Sequence, residues 1–152
     1  MKNLLLVLAA SSAIMFTGCK DDEDDVVPTY EITGSWHPTK VVITDVGPGI
    51  SNSISQDYTL CEQQGIYTFA EGGTGSIATN DQVNGNCEVV NNQNFSYNYD
   101  KGNKAITMNY QNLYMKSGRV AFGNAETMNL TIEKTENGIY HSETVTLKKI
   151  TN

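Results

Sequence analysis

The sequence predicts an all-β protein, an antiparallel meander of about eight strands in one domain. Three observations carry this. Apolar residues alternate with polar ones in short runs, turn residues recur between the runs, and no sustained helical period follows residue 18. Phe95, Tyr97 and Tyr99 alternate with Asn94, Ser96, Asn98 and Asp100, which gives one aromatic and one polar face. Tyr67 and Phe69 stand against Ile66, Thr68 and Ala70. Ile106, Met108 and Tyr110 alternate with Ala105, Thr107 and Asn109. Met128, Leu130 and Ile132 repeat the pattern, and the run from Ile139 to Ile150 places Val145 and Leu147 on one face. Val41, Val42 and Ile43 form an apolar run near the start.

The connections are read from turn chemistry. Asn137-Gly138 tolerates positive φ at both positions, as a tight hairpin requires. Asp100 to Asn103 and Lys116 to Arg119 are similar, and Glu71 to Gly75 supplies a looser turn. A short helical turn fits near Tyr58–Glu62. Asn80 to Asn94 is rich in Asn and Gly and reads largely as loop. Eight or nine strands in a meander leave exposed edges unless the sheet closes. Consecutive hairpins favour a barrel, with a β-sandwich as the alternative.

At 152 residues with a net charge of -7, the chain suits a single domain, and its scattered basic residues exclude a nucleic-acid-binding stripe. Residues 1–18 read as a signal peptide: Lys2 precedes the apolar run Leu4 to Phe16, which is too short to span a bilayer. The run ends in Phe16-Thr17-Gly18-Cys19, which resembles the bacterial lipobox and implies diacylglycerol on the Cys19 thiol. Residues 19–29 then form the lipidated cysteine and an acidic tether, and residues 30–152 the folded domain. The tether, Cys19-Lys20-Asp21-Asp22-Glu23-Asp24-Asp25, resembles the export signal of Bacteroidetes-type surface lipoproteins. That resemblance implies an outer-membrane protein, lipid-anchored and facing the cell exterior.

With Cys19 used for lipid, Cys61 and Cys87 remain as a disulfide pair in an oxidising compartment. Gly34-Ser35-Trp36, at the entrance to the first strand of a meander, resembles the lipocalin signature Gly-x-Trp. Cys61 before Tyr67-Thr68-Phe69, the turn Gly72-Gly73, Cys87 and the closing Leu147-Lys148-Lys149-Ile150 resemble lipocalin-like domains of such surface lipoproteins. The resemblance implies a barrel closed at one end by Trp36, with a late basic residue over it. Arg119, Lys148 and Lys149 are the candidates.

No Gly-x-Ser-x-Gly, His-Glu-x-x-His or phosphate-loop motif is present, and two His with three Cys do not make a multi-ligand zinc site. His37 and His141 read as surface residues. The expectation is therefore no catalytic residue, no metal and no cofactor. The function expected is binding of a small apolar or amphipathic ligand, with Trp36, Tyr67, Phe69, Tyr97 and Tyr99 lining the site. The alternative is a non-enzymatic module that docks an unidentified protein or a glycan in a cell-surface complex. A hydrolase or lyase with an unrecognised site ranks third.

Overall fold

The structure, a computed structural model, describes residues 29–110 and 114–151. The signal peptide, Cys19 and all but the last residue of the tether lie outside the described residues. The domain is a single nine-stranded sheet: β1 (Gly34–Gly47), β2 (Ile50–Asp57), β3 (Ile66–Ala70), β4 (Thr74–Val83), β5 (Asn86–Asp100), β6 (Ala105–Tyr110), β7 (Tyr114–Asn124), β8 (Thr127–Glu136) and β9 (Ile139–Lys149). Every pairing is antiparallel, and β1 also pairs with β9. The sheet closes on itself as a meander barrel, not as a sandwich. Closure runs through eight strands, β1 and β3 to β9, and β2 stays outside the ring as a ribbon on β1.

The reason lies in the middle of β1. Its first part, Gly34–Trp36, pairs with β3, and its second part, Lys40–Gly47, pairs with β2. The exchange falls at Pro38-Thr39. Pro38 offers no N–H to a neighbour, and the register against β9 slips by one residue between Pro38 and Lys40. The extra residue, Thr39, is held on both sides. Its hydroxyl donates to the Thr146 carbonyl at 3.1 Å, and its own carbonyl accepts from the Tyr58 amide at 3.0 Å.

Inward alternation builds the core. Trp36, Phe69, Phe95, Ile106, Met108, Val120, Met128, Leu130, Val145 and Leu147 are all buried. Trp36 closes one end, fully buried, with its Nε1–H donating to the Ile32 carbonyl at 2.9 Å. Lys149 lies over the Trp36 ring, 5.2 Å from its centroid, and so is the late basic residue among the three candidates. Phe122 packs against the same indole, 6.3 Å between centroids.

Turns match expectation at Asn137-Gly138, with φ of 52° and 75°, and at Asp100, whose Oδ1 accepts from the Gly102 and Asn103 amides. The short helical turn is a 3-10 turn at Glu62–Gln64. Two expectations are corrected. Asn80 to Asn94 is not loop: it is mostly the long β4–β5 hairpin, turning at Asn84-Gly85, with φ of 51° and 85°. Lys116 to Arg119 is not a turn but lies inside β7. Gly118 is there for space, since a Cβ at that position would come 1.8 Å from the Thr131 carbonyl oxygen.

Candidate functional site

Cross-strand pairs stack the barrel wall in layers on its inner face. Pro38, Leu147 and Met128 form one layer, and Val41, Val145 and Leu130 the next. Above them come Ile43, Glu143 and Ile132, then Asp45, His141 and Lys134. The lower layers are packed apolar core. The upper two open into a cleft of about 600 Å3, within the range of small-molecule sites. Lys116 and Ser117 of β7 complete its wall.

Charges in this mouth are mostly paired. His141 Nδ1 and Asp45 Oδ1 lie 2.5 Å apart, each about one third exposed. On the outer face of the same wall, Glu133 accepts from the Tyr140 hydroxyl at 2.8 Å and from Arg119 at 2.9 Å. The Tyr140 bond first, and the Arg119 guanidinium second, hold its carboxyl below the usual carboxylate range. Lys134 pairs with Glu136 at 2.8 Å, and the Lys116 ammonium lies 5.5 Å from the centre of the Tyr110 ring. Burial pushes the Tyr67 phenol well above its ordinary value, with Tyr58, Glu143 and Tyr110 adding to the effect. Tyr58 is raised by burial first and by Glu143 second. Both hydroxyls stay protonated at neutral pH, within electrostatic reach of the Glu143 carboxylate.

The five residues expected to line a site do share the inner face. Trp36 and Phe69 are sealed in the core, Tyr67 is 8% exposed, and Tyr97 and Tyr99 pack partly buried against them. Phe69 and Tyr97 meet edge to face at 5.3 Å, and the Tyr97 hydroxyl donates to the Ala70 carbonyl. None of the five lines the 600 Å3 cleft. His141, about one third exposed, faces the cleft in partnership with Asp45. His37 lies on the opposite face of β1 from Trp36, in register with Lys148.

Cys61 and Cys87 form a disulfide. It ties the β4–β5 hairpin to the 3-10 turn. Among the described residues no group of three or more His, Cys, Asp or Glu could hold a metal ion. No helix among them is long and apolar enough to cross a membrane.

No protein-family model and no curated protein matches this sequence. Among solved structures, the chain is similar to lobster apocrustacyanin A1, with a TM-score of 0.48 and 14% identity. That match covers 79% of this chain, which spans about 61% of the other. A bovine odorant binding protein, a deswapped triple mutant, is similar with a TM-score of 0.42 and 11% identity, over 79% of this chain and 74% of that one.

Proposed function

We propose that this protein binds a small amphipathic ligand in the mouth of its barrel. The observation that carries the reading is the 600 Å3 cleft, in which isoleucines from two strands face a ring of polar side chains. Such a site removes an alkyl group from water while leaving a head group hydrated at the rim. The role is binding, not catalysis. The sequence supports a lipid-anchored setting: the apolar leader, Cys19 in the Phe-Thr-Gly-Cys context and the acidic tether fit a surface lipoprotein. In that setting the mouth collects its ligand outside the cell.

Calorimetric titration with decanol tests the binding role. Saturable one-to-one binding is expected, and Ile132→Trp, which fills the cleft, should abolish it. Failure of the wild type to saturate would overturn the reading. Anchoring is tested separately, by moving Cys19→Ser through the same export route. The variant should leave the membrane fraction, and one that stays there shows that Cys19 is not the anchor.

A further inference from the structure

One row of residues crosses the mouth from β8 to β2. Ile132 pairs with Glu143, Glu143 with Ile43, and Ile43 with Ile54. Residues directly opposite in an antiparallel ladder share a face, so these four side chains stand side by side. The row is an apolar strip interrupted by one carboxylate. Ile43 and Ile54 are 45% and 55% exposed, unusually open for large aliphatic side chains at the lip of a cleft. Three strand spacings make the strip about 14 Å long, which suits an extended chain of roughly ten carbons.

Glu143 differs from the other acids of the cleft. Asp45 is matched by His141, and Glu133, on the outer face of the same wall, by Arg119 and Tyr140. Glu143 has no ion pair and no hydrogen bond among the described residues. The Lys134 charge is directed to Glu136, and the Lys116 charge lies against Tyr110 on the β6–β7 wall. Glu143 is exposed at the mouth and flanked by isoleucines, which offer a metal ion no further oxygen ligands but offer an organic cation a surface for its alkyl part, so an organic cation suits it better than a metal ion.

We propose that the cleft selects amphiphiles with a cationic head group, a protonated or quaternary amine, whose counter-ion is the Glu143 carboxylate. The alkyl portion lies along Ile132, Ile43 and Ile54. The inference rests on the binding role proposed above and adds the ligand class.

Calorimetry with decyltrimethylammonium, decanol and decanoate, all below their micellar concentrations, separates the outcomes. The cation should bind about tenfold more tightly than the alcohol, and the carboxylate more weakly than both. Glu143→Gln should bring cation and alcohol to equal affinity. Lys116→Met, which removes a like charge from the facing wall, should tighten the cation a few-fold. Equal affinities in the wild type, or a cation preference that survives Glu143→Gln, would overturn the cation inference while amphiphile binding stands. Tighter decanoate binding that Lys116→Met abolishes would also overturn it, and would name Lys116 as the anchor. If none of the three saturates, the binding role itself falls, and this inference with it.

Discussion

Single residues carry the closest tolerances of this barrel at its glycines. Gly118 and Gly123 both lie in β7, and neither has the positive φ that would itself favour glycine. They differ in what surrounds them. A Cβ at Gly118 would meet the Thr131 carbonyl oxygen at 1.8 Å and the Ile132 Cα at 3.0 Å, both backbone atoms of β8. A Cβ at Gly123 would have nothing closer than the Thr127 carbonyl oxygen at 3.9 Å. Backbone in a closed sheet has little freedom to retreat, so Gly118→Ala should cost about 3 kcal/mol or prevent folding. Gly123→Ala should change stability by less than about 0.5 kcal/mol. Urea unfolding of both variants checks this, and equal losses would show that close approach is not the reason for glycine at 118. The Lys116 to Arg119 segment misleads for the same cause. Ser-Gly reads as a turn, whereas here the glycine answers a neighbouring strand that the linear sequence does not display.

Among the elements, the β4–β5 hairpin depends most on a covalent tie. Its outer part, Asn86 to Asn92, is almost wholly exposed, and Val89 and Val90 face solvent at 59% and 52%. Little apolar burial holds it, so the Cys61–Cys87 bond matters there. The two cysteines are 26 residues apart, and closing such a loop in the unfolded chain is worth roughly 3.5 kcal/mol in the chain-entropy account. Replacing both by Ala should lower stability by about 3 kcal/mol and raise amide exchange chiefly in residues 80–92. Uniform acceleration across the barrel would mean that the bond acts only on the unfolded chain. This hairpin also marks where sequence reading loses its grip. Strands with one buried face, such as Phe95 to Tyr99, announce themselves by alternation. A strand exposed on both faces has no apolar period, and only Asn84-Gly85, the same turn pair as Asn137-Gly138, signals it. The cleft was hidden for a different reason. The extra residue at Thr39 shifts the phase of β1, so Trp36 and Val41, five apart, face the same way. Strict alternation from Trp36 would turn Asp45 outward, away from His141, and only the register of β1 on β9 brings them together.

For the whole molecule, the ionisable groups set a stability plateau with two different edges. On the acid side, Glu133, Asp100 and Glu136 are all held below their ordinary values, chiefly by hydrogen bonds from Tyr140, Asn103 and Lys134 respectively. A depressed carboxyl lends stability above its unfolded pKa and loses it as pH falls through the folded one, so stability should decline below about pH 4.5. On the alkaline side the sign is reversed. Tyr67 and Tyr58 are raised above their ordinary value of 10.0, each mainly by burial. Up to about pH 10 both states hold these protons, and the phenols add no pH dependence. Above it the unfolded chain releases them while the barrel keeps them, so each group removes up to about 1.4 kcal/mol per pH unit. Tyr67 is the more deeply buried of the two and should dominate this edge. Tyr67→Phe keeps the ring in the core and has no proton to lose. Its stability near pH 7 should stay close to wild type, while its decline between pH 10 and 11.5 becomes shallower, leaving the contributions of Tyr58, Tyr97 and Tyr99, which burial also raises. Urea midpoints measured across that interval give the two slopes directly. Parallel slopes would mean that Tyr67 ionises as freely in the barrel as in the open chain. Its hydroxyl would then reach water through the mouth, and the floor of the cleft would lie one layer deeper than Val41, Val145 and Leu130.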